Sequence, residues 1–440
     1  MAAPGGIQKL EMNIDGLGER IRWLPAISPG PADLDGRVTH HAMMAWGGQN
    51  SKEDKFLVIT DLEVVSRGHS VLRVDEEMVK AFPHEGKMTD LHVCEQGGGL
   101  VNVLFGTTEG TLHLLRLLLP RTPGALPKDV RVLKPPGLGQ LPELDADASE
   151  DLAVWLRPHR GAVAAVDMQQ ETKKILTAGA DGSLFVLEME KVAAVVSSVV
   201  DTANSMDADG DEDGSAMDTM DTGEQRRGRP CTASGSGAVP PELLPYKAGT
   251  GCIGYTCARW ADRNRFVTSQ SLGGLEMWDV RCPPEPVMRS KEWGAVGLGP
   301  AERGSHGAIC SLQVHPARPD VCASGGLAGS VALWDLRASS KPMSLTRPDI
   351  AAGPVWEVHF DTRESTQSST GQQAPLPSVL YCTEDGGLFH VSATEGPAAR
   401  GPQVLTQLPV AINSFDVGGP FGTDVAAVTD RQTLMFMQTA

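Results

Sequence analysis

Three groups of residues in this 440-residue chain have types and spacing that could do chemistry. Asp209-Gly-Asp211-Glu-Asp213-Gly214 copies the opening of a calcium loop, in which alternate carboxylates and a turn glycine wrap the ion. Such a loop closes on a bidentate glutamate at its twelfth position, which here is Met220, and no amphipathic helix flanks it. Gly249-Thr-Gly251-Cys-Ile-Gly254 has the letters of a dinucleotide fingerprint. The YTCARW that follows is β-prone, so no helix N-terminus is expected there to hold a pyrophosphate. His159 and His306 each precede a β-prone segment. An imidazole there could serve as a general base, but hydrogen bonding that orders the neighbouring turn is the expectation. The same holds for Asp181 and Asp385 in their Asp-Gly turns. The chain has no HExxH, GxSxG or P-loop lysine signature. We therefore assign no catalytic, cofactor-binding or metal-ligating residue, and expect no cofactor.

The cysteines (94, 231, 252, 257, 282, 310, 322 and 382) are scattered and form no CxxC. They read as buried free thiols of a reducing compartment such as cytosol or nucleus. With 55 acidic against 38 basic residues, a net charge of -17 argues against a protein that binds nucleic-acid phosphates directly. The longest apolar run, Val192–Val200, is far short of the roughly 20 residues of a spanning helix. MAAPGGIQKL has neither the basic nor the apolar region of a secretory signal.

The elements that must position these residues are revealed by a repeat. LEMWDVR (Leu275–Arg281) and VALWDLR (Val331–Arg337) each follow a strand-like run and a glycine-rich turn. The frame recurs without Trp at Ile175–Glu188, Val379–Ser392 and Val103–Arg116, and more faintly at His41–Leu62 and Ala426–Met437. Strand, tight turn and alternating strand make a β-hairpin. The Trp-equivalent positions are Ile59, Leu115, Leu187, Trp278, Trp334, Val391 and Phe436. Seven such hairpins predict an all-β, seven-bladed WD40 β-propeller spanning 1–440 as a single domain. Arg160–Met168, Gly307–Pro316 and Gly353–Asp361 are expected as inner strands lining the channel, and Trp278 and Trp334 as blade core. Too few residues follow Phe436 to supply an outer strand, so an N-terminal strand is expected to close the last blade. Arg20–Ile27 is the expected donor.

Insertions account for the longer steps. The step from 115 to 187 holds a Pro-rich stretch, 120–142, expected to be an irregular loop. The step from 187 to 278 holds 201–245, an acidic insertion expected to be disordered: residues 201–225 carry nine acids and no base before RRGR at 226–229. Shorter loops are expected near 286–305 and 362–377.

The second half is more specific than a generic repeat. FVTSQSLGGLEMWDVR (Phe266–Arg281), VHPARPDVCASGGLAGSVALWDLR (Val314–Arg337), PMSL (Pro342–Leu345), WEVHF (Trp356–Phe360), YCTEDGGLFH (Tyr381–His390) and INSFDV (Ile412–Val417) occur in that order. Together with IRWLP (Ile21–Pro25), they resemble the forty-three-kilodalton WD40-repeat nucleoporins of the Y-shaped outer-ring complex of the nuclear pore. Val391 stands where that family commonly has Trp, and the His usual before WEVHF is missing. The resemblance implies a non-enzymatic scaffold subunit at the nuclear envelope that supports mRNA and protein transport. It implies partners among the other Y-complex nucleoporins, a helical short-arm member and a second small WD40 propeller, with no direct nucleic-acid contact, membrane insertion or small-molecule substrate. It places no protein-binding residue on this chain. Two other readings compete. The WDxR tetrapeptides Trp278–Arg281 and Trp334–Arg337 also occur in substrate receptors of cullin-type ubiquitin ligases. An enzyme or small-molecule propeller would instead need convergent polar side chains in the channel.

Overall fold

The computed structural model describes residues 8–133, 154–191, 244–290, 308–337, 343–346, 353–361, 376–392 and 401–438, except 14–16, 28, 30, 51, 68–69, 121–125, 420–421 and 423. Seven antiparallel sheets form a ring. From the channel outward, blade 1 is Leu17–Trp23, Val38–Gln49, Lys55–Arg67 and Ser70–His84. Blade 2 is Met88–Gly97, Leu100–Thr107 and Leu112–Leu118, with Arg131–Leu133 and Val154–Leu156 both pairing the third strand. Blade 3 is Val163–Met168, Lys174–Gly179 and Leu184–Glu188, its last strand bridged to Lys247 at Leu184. Blade 4 is Tyr255–Trp260, Arg265–Gln270, Leu275–Asp279 and Met288–Arg289. Blade 5 is Ile309–His315, Arg318–Gly326, Val331–Asp335 and Ser344–Thr346. Blade 6 is Val355–Phe360, Val379–Thr383, Gly387–Val391 and Gln403–Gln407. Blade 7 is Ile412–Gly418, Asp424–Thr429, Thr433–Gln438 and, from the other end of the chain, Gln8–Asn13. All seven Trp-equivalent positions fall on third strands, and the three expected inner strands are inner strands.

The core consists of seven seams, one between each pair of neighbouring blades. This follows from the pleat: alternate side chains of one blade face opposite neighbours, so every blade buries both faces. In the seam of blades 3 and 4, Trp278 stacks on Phe266 with ring centroids 5.9 Å apart, and Trp260 meets Phe266 edge-on at 5.5 Å. The buried indole N–H of Trp278 donates to Thr268 Oγ1 at 2.9 Å, and that of Trp334 to Ser324 Oγ at 2.8 Å. Blade 1 reverses the arrangement: Trp46 sits on the second strand and donates to Thr60 on the third at 2.9 Å.

Two details differ from the sequence reading. The N-terminus does close blade 7, but the donor is Gln8–Asn13, paired residue for residue from Gln438 to Thr433, and not Arg20–Ile27. Leu17–Trp23 is instead the inner strand of blade 1, where Ile21 and Trp23 are buried against Val428 and Phe436 of blade 7. The Pro-rich stretch is not wholly irregular either. Pro127–Asp129 makes a 3-10 turn, Val130 is buried in the seam of blades 1 and 2, and Arg131–Leu133 supplies outer-strand pairing to Arg116–Leu118. The acidic stretch up to residue 243 lies outside the described residues, as do 291–307 and 362–375.

These positions separate two roles of the N-terminus. Deleting residues 1–16 removes the outer strand Gln8–Asn13 but no inner strand, and should lower the melting midpoint by a few degrees. Deleting 1–30 also removes an inner strand with its buried Ile21 and Trp23, and should abolish cooperative melting. Calorimetry of both truncations checks this, and a full-length melting profile for the 1–30 deletion would contradict it.

Candidate functional site

Every inner strand carries the same irregularity. The register with the second strand shifts between Gly18 and Arg20, Met88 and Asp90, Val163 and Ala165, Tyr255 and Cys257, Ile309 and Ser311, Val355 and Glu357, and Ile412 and Ser414. A β-bulge strengthens twist and re-aims side chains. Two equivalent sets of residues follow it. Immediately after the shift come Arg20, Asp90, Ala165, Cys257, Ser311, Glu357 and Ser414. Two residues further on come Arg22, His92, Asp167, Arg259, Gln313, His359 and Asp416.

Their first task is set by the backbone. An inner strand pairs along one edge only, so its other edge leaves N–H groups that must find acceptors. At five of the seven junctions between blades, side chains of the preceding blade supply them. Val358 N–H donates to Ser311 Oγ (3.1 Å) and Phe360 N–H to Gln313 Oε1 (2.5 Å). Phe415 N–H donates to Glu357 Oε2 (3.0 Å), Ile21 N–H to Ser414 Oγ (3.2 Å) and Trp23 N–H to Asp416 Oδ2 (2.8 Å). Val166 N–H donates to Asp90 Oδ2 (2.9 Å) and Trp260 N–H to Asp167 Oδ2 (2.6 Å). Between blades 1 and 2, where arginines occupy both positions, the pattern changes: Arg20 Nε donates to Thr89 O (2.8 Å), and Met88 N–H donates to Glu19 Oε2 (2.7 Å).

The second task is charge pairing across a whole blade. Arg259 of blade 4 grips Asp90 of blade 2 with two bonds, 2.8 and 3.1 Å, passing blade 3 where the equivalent residue is the small Ala165. Arg22 of blade 1 reaches Glu357 of blade 6 at 2.5 Å, passing blade 7 where the equivalent residue is Ser414. Burial is the largest single influence and disfavours each charge, but the surrounding opposite charges and hydrogen bonds together outweigh it. Asp90 is held below its usual range, Glu357 well below, and both guanidiniums are raised. His92 lies 3.1 Å from Asp167, and burial lowers it despite that carboxylate. His359 sits 3.3 Å from Glu357 and 3.1 Å from Gln313.

These groups line a cavity of about 240 Å³ with Arg22, His92, Asp167, Arg259, Gln313, Glu357 and His359 in its wall. The channel is therefore polar, as an enzyme or ligand-binding propeller requires. Its charges, however, are engaged: each carboxylate accepts a backbone N–H, and two of them also clasp an arginine. Ser311 and Ser414 accept backbone bonds of their own. Burial pushes Cys94 and Cys257 up to about 11 and Cys310 to about 12, so these thiols stay protonated near neutrality. Among the described residues, no three His, Cys, Asp or Glu side chains converge to hold a metal ion. The arrangement performs fixed electrostatic cross-linking.

The residues singled out by sequence have local roles. His159 is buried in blade 3, its Nδ1 2.9 Å from Ser183 Oγ and 3.2 Å from Asp181 Oδ1, and its Nε2 2.9 Å from Thr177 Oγ1. The residue types match a Ser-His-Asp triad, but both partners share one imidazole nitrogen and Ser183 bonds Asp181 directly at 2.6 Å. Burial raises the Asp181 carboxyl, yet bonds from His159, Ser183 and the Arg160 N–H bring it well below the usual range. Gly249 and Gly254 pack against the Asp181 turn: a Cβ on them would lie 2.2 Å from Asp181 O and 2.5 Å from Ala180 O. Close backbone approach, with Tyr255–Trp260 continuing as a strand, accounts for this glycine motif. Arg281 and Arg337 fold back on Asp279 and Asp335, with pairs of bonds at 2.9 and 2.5 Å and at 3.0 and 2.8 Å. Those bonds bring Asp279 down to about 2. Asp385 accepts a bond from Thr383 Oγ1 in the turn of blade 6. All seven described cysteines are free, four of them buried. His306, Asp209–Gly214 and Arg226–Arg229 lie outside the described residues.

The sequence reading missed the channel set. Its signal was polar residues two apart in short β-prone segments: ERIRW, DLHV, EVHF and SFDV.

The chain is 34% identical over 208 residues to the nuclear pore complex protein NUP43 of Arabidopsis thaliana, covering 44% of this chain and 54% of that protein. It is 31% identical over 134 residues to nucleoporin Nup43 of Mus musculus, covering 30% of this chain and 29% of that protein. With nucleoporin Nup43 of Homo sapiens the figures are 27% over 162 residues, 36% and 33%. The matches thus span about half or less of these relatives. No family model matches the chain.

Two stability predictions follow from the buried charges. Arg259→Met leaves Asp90 buried without its cation and should cost about 3–5 kcal/mol in urea unfolding. Adding Asp90→Asn, which keeps an acceptor for Val166 N–H, should recover more than half of that loss. The second concerns His84 and His113, which flank Phe105 and are pushed by burial down to about 4 and about 3. Unfolded histidines take up protons below about 6.5 while these stay neutral, so stability should fall as pH drops from 6.5 toward 4. The slope approaches about 1.4 kcal/mol per pH unit for each histidine. In melts between pH 7.5 and 4.5, His113→Phe should reduce the slope by roughly that amount.

Proposed function

We propose that this chain is a non-enzymatic scaffold subunit of the nuclear pore, placed in the Y-shaped outer-ring coat at the nuclear envelope. It would sit on the short arm beside a helical nucleoporin and a second small propeller, and support mRNA and protein transport indirectly. The observation that carries this reading is the similarity to nucleoporins of a plant and two mammals. The closed ring agrees with it: a disc stapled through its own channel offers rigid faces and rims to neighbours, with its polar interior occupied by its own bonds. The alternative role as a cullin-ligase substrate receptor rests on the WDxR arginines, and both of these are bound to their own aspartates.

A tagged full-length copy should give a punctate nuclear rim and co-purify helical nucleoporins in stoichiometric yield, both unchanged by Arg281→Ala with Arg337→Ala. Diffuse nucleoplasmic signal, or a ligase adaptor captured through those arginines, would overturn the assignment.

A further inference from the structure

Sheets avoid unwanted pairing when their edge strands are short. In blades 2 to 7 the outermost strands run two to six residues. Blade 1 instead ends on Ser70–His84, fifteen residues, and among the described residues no strand pairs with its outer side. From Leu72 to Phe82 this leaves about 35 Å of open edge. Bulges bend the strand at Leu72 and Val79, but Arg73–Met78 stays in unbroken register with Val65–Thr60.

The register creates an unusual charge arrangement beside that edge. Glu77 faces Asp61 and Asp75 faces Glu63, so two like-charged pairs lie in succession on one face. Directly opposed like charges destabilise a sheet. Arg73 offsets Asp75 and His41 lies 2.8 Å from Asp61 Oδ2. Asp61 is nonetheless buried, with its Oδ1 unpartnered. Burial, with Glu63 and Glu77 adding, raises its carboxyl above the usual range against the pull of His41. Leu72 and Met78, 53% and 64% exposed, add apolar side chains along the same strand.

We propose that Leu72–Phe82 is a docking edge for an extended basic segment of a partner protein, added to blade 1 as a fifth strand. Edge backbone supplies hydrogen bonds, the carboxylates supply attraction for Lys or Arg at alternate positions, and Leu72 and Met78 supply apolar contact. A second copy of this chain is a poor occupant, because pairing the same edges brings the same carboxylates together. The proposal holds whichever assembly the chain belongs to.

The test uses the full-length chain and a capped nine-residue peptide alternating Lys and Val. The peptide should slow hydrogen exchange of amides within 72–82 and bind at least tenfold more weakly in 0.5 M than in 0.05 M salt. Glu63→Lys with Glu77→Lys should weaken binding at least tenfold without lowering the melting midpoint, since it relieves like-charge contacts. Glu188→Lys, on exposed blade 3, should leave binding unchanged. Protection, before peptide is added, of those amides of 72–82 that point away from Lys55–Arg67, equal binding of a Glu–Val peptide, or binding indifferent to the blade 1 reversal would each overturn the proposal.

Discussion

The structure depends on the unpaired edge of the innermost strand. In a closed ring of radial sheets that edge cannot join a further strand, yet its N–H groups are buried near the axis. An unsatisfied buried donor costs about 1–3 kcal/mol, so the strand needs an acceptor from outside its own sheet. At five of the seven junctions the preceding blade provides it through side chains that follow its bulge. Ser311, Gln313, Glu357, Ser414, Asp416, Asp90 and Asp167 all accept from the blade that follows. Satisfaction of the backbone thereby becomes cohesion between blades.

Carboxylates used as acceptors must then be neutralised, because isolated buried charges are costlier than the bonds they make. Arg22 and Arg259 meet this need by reaching past an intervening blade whose side chain at that level is small. Each pair ties together three consecutive blades: 2, 3 and 4, and 6, 7 and 1. Blade 1, which contains the chain's first inner strand, therefore joins blades 6 and 7 through Glu357 and Asp416 as well as through the apolar seam of Ile21 and Trp23. The closure by Gln8–Asn13 lies outside this arrangement, at the rim. A channel so occupied favours a rigid disc over a binding pocket, consistent with the nucleoporin similarity.

Much of the fold was legible because hairpins are local. Turn glycines, strand alternation and the WDxR endings lie within about twenty residues of one another, so seven third strands could be placed from sequence. The closing strand was half legible: counting residues after Phe436 required a donor from the N-terminus, but the expected segment, Arg20–Ile27, is not the one that pairs. Arg20–Ile27 was the more apolar, and that same character suits it to an inner strand buried on both faces. The weaker Gln8–Asn13 suffices for a rim.

By itself the sequence determined the number of blades, their order and the third strand of each, since those depend on periodicity and turn chemistry within single hairpins. Only the tertiary structure decided what the charged residues of the inner strands do. Asp90 and Arg259 are 169 positions apart, and Arg22 and Glu357 are 335 apart. No local pattern can pair them, because their meeting depends on ring curvature and on a small residue in the blade between. Likewise, the long open edge of blade 1 and its facing carboxylates exist only through strand register, which a shift of one residue would have cancelled.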